Sequence, residues 1–223
     1  MKKKILVFSA HPDDETLGCG GYIKKLSKKN NTVVCVFTTG ITSRKKYNKK
    51  ELYSLKKNAL DAFKILGFKK NIFLNLDDNK LDSYPLLKIV KLAEEIIETE
   101  KPNVIFTHFP DDLNIDHRIV TEAVLTASRP LKKNNFIDKI FFYETLSSTE
   151  WSITKMFIPN TYIDIKDTIK FKLKAIRSYR SELKLFPHTR SVKGIEILAQ
   201  KRGSEANMKF AEAYMLYRDV SKI

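Results

Sequence analysis

Two short segments of this 223-residue chain hold three of its four histidines, each set among carboxylates. The first is His11-Pro-Asp-Asp-Glu15; the second is His108-Phe-Pro-Asp-Asp-Leu-Asn-Ile-Asp-His117. Imidazole and carboxylate, with no usable cysteine nearby, form the donor set of a catalytic zinc: three protein ligands and one open position. His11 and Asp14, three residues apart in a turn entering a helix, can face one point. His117 can reach that point from the second segment. Asp13, between the ligands, would point at the open position and take a proton from a water whose pKa the metal has lowered toward ~7. Asp116 is suited to accept the second ring N–H of a ligand histidine and fix its tautomer. A lone His-x-x-Asp is equally well a surface turn, and Asp13-Asp14-Glu15 can simply stabilise a helix N-terminus. Two such segments at neighbouring strand ends favour the metal site.

The elements that must position these residues follow from the apolar pattern. Lys4 to Ala10 and Thr32 to Phe37 are continuous apolar runs without alternation, the habit of strands buried on both faces of a parallel sheet. Leu17, Ile23 and Leu26 lie between them on one side of an amphipathic helix, giving a right-handed βαβ unit. The rhythm repeats through helix 51–66 (closed by Gly67), strand 71–76, helix 85–100, strand 104–107, helix 118–128 and strand 138–143. This alternation predicts an α/β fold of the Rossmann-like, doubly wound type, a mostly parallel sheet with helices on both faces. In such a sheet ligands sit at the carboxyl ends of the strands, where both histidine segments fall. Beyond Glu144 the rhythm loosens into loops at 147–151, 157–160 and 185–190 and one helix at 167–180. No linker or repeat interrupts the chain. It therefore reads as one domain over 1–223, with the C-terminal third (about 144–223) adding walls to the site.

Composition excludes several classes. Apolar residues make up 43% and charged residues 30%, enough for a folded core, and no apolar run spans a bilayer. The start MKKKILVFSA runs into HPDD rather than a signal sequence, and two cysteines make no disulfide framework; a cytoplasmic location is expected. The net charge of +15 invites a nucleic-acid reading, but 33 of the 41 basic residues are dispersed lysines and only eight are arginines. No nucleic-acid partner is expected, whereas an anionic small substrate fits. Gly18, Gly20 and Gly21 lack the G-x-G-x-x-G spacing, and three acids precede them where a pyrophosphate would bind; close helix packing explains them better. Cys19 and Cys35 read as small core residues. Ser147 and Ser148 lack the G-x-S-x-G elbow of a serine hydrolase.

Ala10-His-Pro-Asp-Asp-Glu15 followed by Leu17-Gly-Cys-Gly-Gly21, with Asn114-Ile-Asp-His117 downstream, resembles the LmbE/PIG-L family of zinc-dependent de-N-acetylases. The likeness extends to Gly40-Ile-Thr-Ser-Arg44, Asp112 to Arg118, Ser147-Ser-Thr-Glu-Trp151 and Phe186-Pro-His-Thr-Arg-Ser191. It implies removal of acetyl groups from N-acetylglucosamine-type sugars, whether nucleotide-, lipid- or thiol-linked. Position by position it implies His11, Asp14 and His117 as metal ligands and Asp13 as general base. Many members carry a histidine three residues before the last ligand; here that position is Asn114, whose amide can donate to an oxyanion but cannot deliver a proton. His188 becomes the candidate acid for the leaving amine, or else a loop histidine that binds hydroxyls. Arg44 and Arg190 could hold a phosphate or carboxylate of the substrate, or be solvated charges. Glu150 and Trp151 could shape the pocket, with Trp151 against a sugar ring or in the core. Zn²⁺ is the expected cofactor, and Fe²⁺, Mn²⁺ or Co²⁺ suit the same donors. The competing readings are a basic sugar- or nucleic-acid-binding protein that kept the fold without turnover, and a hydrolase of another small amide.

Overall fold

The computed structural model describes residues 2–43 and 47–221. Seven strands form one sheet in the order β3-β2-β1-β4-β5-β7-β6. The strands are β1 (Lys4–Ser9), β2 (Asn31–Thr38), β3 (Lys70–Leu76), β4 (Val104–His108), β5 (Lys139–Tyr143), β6 (Thr161–Asp164) and β7 (Ala211–Asp219). The first five are parallel, with register pairs such as Val7 with Val34 and Val7 with Phe106. β7 runs antiparallel to β5, and β6 antiparallel to β7. This is the mostly parallel, doubly wound α/β sheet expected from the alternating pattern.

Helices α1 (Asp14–Leu26), α2 (Lys49–Leu66) and α5 (Ile169–Ile176) pack on one face, α3 (Leu86–Glu100) and α4 (Ile115–Ala127) on the other. The strand side chains divide accordingly. Val7, Val34, Val36 and Phe106 join the first core, while Leu6, Phe8, Cys35 and Ile105 join the second. A strand covered on both faces needs apolar residues at every position, which is why β1 and β2 read as unbroken runs. No helix among the described residues is long and apolar enough to cross a membrane.

The C-terminal third is more regular than its sequence suggests: besides loops it supplies β6, β7 and α6 (Val192–Ser204). It is held to the rest by the pairing of β7 with β5 and by a buried ion pair of its own that hydrogen-bonds α1. Lys172 Nζ donates to Glu212 Oε1 at 2.6 Å and to the Leu17 carbonyl at 2.7 Å. The same Glu212 carboxylate accepts the N–H groups of Gly21 and Tyr22, inside α1, at 2.8 and 2.7 Å. Gly18 is forced by packing: a Cβ there would lie 2.1 Å from Tyr143 Cδ2. Both cysteines are buried and unpaired.

Candidate active site

The strand order reverses between β1 and β4, the position where an open α/β sheet leaves a crevice at its carboxyl edge. The two histidine segments follow these two strands. β1 ends at Ser9 and the chain turns sharply through His11 and Pro12 into α1. Asp13 caps that helix with φ 117°, a left-handed conformation that a non-glycine residue rarely adopts. Glu15 secures the turn by accepting the Asp13 N–H at 3.1 Å, and is itself held by Thr16 Oγ1 at 2.5 Å and the Tyr179 hydroxyl at 2.8 Å. Burial raises the Glu15 carboxyl to about 7 against those hydrogen bonds. On the second segment Asn114 caps α4 by accepting the Asp116 N–H at 2.8 Å, which starts the helix carrying His117.

These turns bring His11 Nδ1, Asp14 Oδ2 and His117 Nε2 together. The three separations are 3.2 Å (His11 to Asp14), 3.2 Å (His11 to His117) and 3.3 Å (His117 to Asp14). Ligands about 2.0–2.2 Å from a tetrahedral zinc lie about 3.3–3.6 Å from one another, so the triangle has the right edge. The outer ring nitrogens face carboxylates. His11 Nε2 lies 3.1 Å from Asp116 Oδ2 and 3.2 Å from Asp78 Oδ1, and His117 Nδ1 lies 3.1 Å from Asp112 Oδ1. A ring proton at each outer position leaves lone pairs on His11 Nδ1 and His117 Nε2, both aimed at the Asp14 carboxylate. Three buried lone pairs converging on one point repel unless a cation lies among them. Asp14 Oδ1 also has no hydrogen-bond partner. The residues present therefore fit a divalent ion.

The surrounding carboxylates draw positive charge to these rings, as protons where no metal ion competes. Burial disfavours the charged ring of His117, but Asp14 and Asp112 outweigh it and raise its pKa to about 9. Burial raises the Asp112 carboxyl and His117 lowers it further, to about 2, with help from Ser148 and Thr149. His11 is likewise raised above its ordinary value against burial, by Asp116, Asp14 and Asp78. Burial raises Asp14, yet the two imidazoles hold it well below the carboxylate range. Burial pushes Asp13 the other way, well up, with Arg190 opposing and Asp14 reinforcing.

The third histidine of the two segments does different work. His108 Nε2 accepts the Ala10 N–H at 2.9 Å, and its ring stacks on His117 with centroids 3.9 Å apart. Burial, with His117 nearby, holds its pKa well below the usual imidazole value, so it remains neutral and braces both segments.

A cavity of about 210 Å³ opens on the triangle and is lined by His11, Asp13, Asp14, Asn114, His117 and Arg190, among others. That is below the ~300–1,000 Å³ of sites for drug-sized ligands, enough for one small group with the remainder of a ligand outside. Arg190 reaches in and sets Nη1 3.3 Å from Asp13 Oδ2, so this side chain is engaged with a carboxylate of the protein. Asn114 Nδ2 donates to Asn79 Oδ1 at 3.0 Å. His188 does not line the cavity; its Nδ1 accepts the Arg190 N–H at 3.0 Å, and Trp151 meets its ring edge-on at 6.2 Å. Trp151 is 48% exposed, which removes the core alternative for it. Glu150 is spent on its own turn, accepting the Ser147 and Ser148 N–H groups. Arg44 lies outside the described residues.

Sequence reasoning missed the loop after β3. Asp78 faces His11, while the N–H groups of Asn79 and Leu81 hold Asp116 at 2.7 and 3.0 Å. The run Asp77-Asp78-Asn79 at a strand's carboxyl end was the available signal. Asp112 was visible within the second segment, without its function as the partner of His117.

Comparison with known proteins agrees with this geometry. A family model described as GlcNAc-PI de-N-acetylase (PIG-L) matches residues 6–128, more than half of the chain. The chain is 30% identical to the probable N-acetyl-alpha-D-glucosaminyl L-malate deacetylase 2 of Bacillus subtilis (strain 168), over 82% of this chain and 84% of that protein. It is also 30% identical to the diacetylchitobiose deacetylase of Thermococcus kodakarensis, over 81% of this chain and 70% of that one. Among solved structures, N,N'-diacetylchitobiose deacetylase from Pyrococcus horikoshii shares the fold with a TM-score of 0.78, covering 97% of this chain and 84% of that chain at 24% identity. GalB, a 4-carboxy-2-hydroxymuconate hydratase from Pseudomonas putida KT2440, shares it equally, with a TM-score of 0.78 at 17% identity over 100% of this chain and 99% of its own. A fold common to a hydratase and a deacetylase does not choose the reaction; the residues of the site do. With the family model matched across both histidine segments, the chain belongs to the GlcNAc-PI de-N-acetylase (PIG-L) family.

Proposed function

We propose that this protein hydrolyses the acetamide of an N-acetylated amino sugar to acetate and a free amine. The observation that carries the reading is the triangle of His11, Asp14 and His117, with edges of 3.2–3.3 Å, opening on a cavity that Asp13 also lines. Two relatives named as deacetylases of N-acetylated sugars support the choice of substrate class.

His11, Asp14 and His117 would hold a divalent ion, with zinc the best match to the donors and Fe²⁺, Mn²⁺ or Co²⁺ able to share them. Bound there, the ion supplies Lewis-acid polarisation of the acetyl carbonyl and lowers the pKa of water toward ~7. Asp116 holds the outer ring proton of His11, and the Asp112 carboxylate faces His117 Nδ1 at 3.1 Å and favours the proton there, which keeps the inner nitrogens as donors of electron pairs. Asp13 takes the proton of the attacking water as the new C–O bond forms, and Arg190 orients its carboxylate. The Asn114 amide has one Nδ2 hydrogen beyond the one given to Asn79 and offers it to the oxyanion. As the C–N bond breaks, the amine nitrogen takes a proton from Asp13 or from His188. With Nδ1 occupied by the Arg190 N–H, His188 can act only through Nε2. Arg190 lines the substrate side of the site, Glu150 shapes it through the Ser147-Ser148 turn that it holds, and the exposed Trp151 offers a face to a ligand outside the cavity, with Arg44 a further candidate for substrate binding.

The test is acetate release from a panel of free, nucleotide-linked and lipid-linked N-acetylated sugars, using metal-stripped protein, zinc-restored protein and Asp13→Asn. Release should depend on zinc, and Asp13→Asn should retain the metal while losing about 10²–10⁴-fold in turnover. His188→Ala in the same assay separates an acid, which lowers kcat, from a hydroxyl-binding residue, which raises KM. Undiminished release from Asp13→Asn would refute the base assignment, and release unaffected by metal removal would refute the mechanism.

A further inference from the structure

Asp13 stands at φ 117° and ψ −28°, a conformation that a residue with a side chain keeps only where its surroundings impose it. Its carboxylate makes no cap bond to α1 and lines the catalytic cavity instead. Its carbonyl is fixed by the first turn of α1, accepting the N–H groups of Thr16 and Leu17 at 3.0 and 2.9 Å. Its own N–H goes to Glu15 Oε2 at 3.1 Å. The angle φ is the rotation between these two anchors, so it is held for as long as the Glu15 carboxylate stays in place.

Glu15 is wholly buried and needs holding in its turn. Its Oε1 accepts two hydroxyls, one from the neighbouring Thr16 and one, at 2.8 Å, from Tyr179, 164 positions later. With Oε1 engaged in this way, Oε2 is left to the Asp13 N–H. Tyr179 does not line the catalytic cavity, and it lies beyond residues 6–128, where the family model matches. Its ring is fully buried in the core shared with α1 and α2. Its backbone is pinned on both sides: the N–H donates to the Ile176 carbonyl at 3.0 Å, and the carbonyl accepts the N–H groups of Glu182 and Leu183 at 3.0 and 3.2 Å. The chain then runs to Arg190, whose carbonyl accepts the Lys184 N–H at 3.2 Å and whose Nη1 meets Asp13 Oδ2 at 3.3 Å. One segment, 179–190, thus reaches Asp13 twice, at its carboxylate through Arg190 and at its backbone through Tyr179 and Glu15. Packing asks only for the ring of Tyr179; the hydroxyl adds a hold on Glu15.

We propose that the Tyr179 hydroxyl is a positioning group for the catalytic base: through Glu15 it keeps Asp13 in the left-handed conformation that presents its carboxylate beside the metal triangle. The inference rests on the deacetylase reading, with Asp13 as the base, and adds a residue to it. Tyr179→Phe keeps the ring and removes only the hydroxyl. The zinc-restored variant should keep stoichiometric zinc and an almost unchanged KM while kcat falls about tenfold or more, the scale on which a misplaced reacting group acts. Glu15→Ala should lose at least as much per bound zinc, and adding Tyr179→Phe to it should cost nothing further, because the hydroxyl acts through Glu15. Glu15→Gln should recover most of that loss: its amide oxygen can accept the Asp13 N–H while its NH₂ group donates to the two hydroxyl oxygens. Tyr214→Phe is the control. It also removes a buried hydroxyl from a glutamate that holds α1, but that glutamate, Glu212, accepts from Gly21 and Tyr22 rather than from Asp13. Its kcat should stay within about twofold of the unaltered protein. Unchanged kcat in Tyr179→Phe, an equal fall in Tyr214→Phe, or independent losses in the double variant would overturn the proposal. Loss of zinc from Tyr179→Phe would do so too, by making the residue a support for Asp14 rather than Asp13. If the unaltered, zinc-loaded protein releases no acetate from any sugar, the deacetylase reading fails and crystal structures of the variants decide. Asp13 leaving the left-handed region in Tyr179→Phe then upholds the positioning, and an unmoved Asp13 overturns it.

Discussion

The two sides of the candidate site are built differently. The side formed by the β1 and β4 ends is buried and over-determined. His108 braces both segments from below, and Asp78, Asp112 and Asp116 surround the two inward-facing rings. The opposite rim, from 152 to 158 and from 185 to 190, is loops with apolar side chains in solvent, Ile153 91% exposed and Leu185 89%. Reacting groups need positions fixed to a fraction of an ångström, which packing and buried hydrogen bonds supply. Recognition of a variable substrate needs no such precision and can be left to surface loops. Arg190 belongs to the rim by sequence and to the buried side by contact, and so ties one to the other.

Three variants probe that contrast. His117→Ala removes one corner of the triangle. Metal content and acetate release should both vanish, the latter by about 10³-fold or more, because several kcal/mol of charge stabilisation leave with the ion. Stoichiometric metal in this variant, measured by elemental analysis, would shift the ligand set elsewhere. Asp112→Asn keeps the shape but removes the negative charge facing His117 Nδ1. Metal affinity, read by chelator competition, should fall about 10–100-fold. An unchanged affinity would reduce Asp112 to a brace for Ser148 and Thr149, whose hydroxyls it also accepts. Ile153→Ser with Leu185→Ser should shift unfolding free energy by no more than about 0.5 kcal/mol per site, since neither side chain is buried. A loss of several kcal/mol in denaturant titration would mean that the rim is packed and the contrast false.

The sheet through β5 was legible because buried parallel strands alternate with amphipathic helices, leaving two distinct periodicities in the sequence. That signal fails at β7. Its sequence Ala211-Glu-Ala-Tyr-Met-Leu-Tyr-Arg-Asp219 puts a glutamate inside the protein, which the distant Lys172, Gly21 and Tyr22, with the Tyr214 hydroxyl, make tolerable. α6 carries Gly194 and Gly203 because Thr189 and Met208 carbonyls press on them, and the glycines hide its helical character. At the site, the His11 and His117 segments were legible by their density of donors, and the structure brings those donors together. Asp78 and Asn79 were not, because a polar run after a short strand looks like any turn. The interaction of Arg190 with Asp13 joins residues 177 positions apart and leaves no local trace.

The Glu212 carboxylate has a consequence for the order in which the molecule is assembled. It accepts amides in the middle of the first helix from a residue 191 positions later in the chain. A chain emerging from the ribosome presents the histidine turn almost at once, yet α1 gains this anchor only when the last strand is added. Until then Gly21 and Tyr22 lack the carboxylate that holds them, and so does the helix that begins at Asp13. The first part of the enzyme to be synthesised is thus among the last to be secured, and a chain ending before β7 would carry every proposed ligand without the anchor that steadies them.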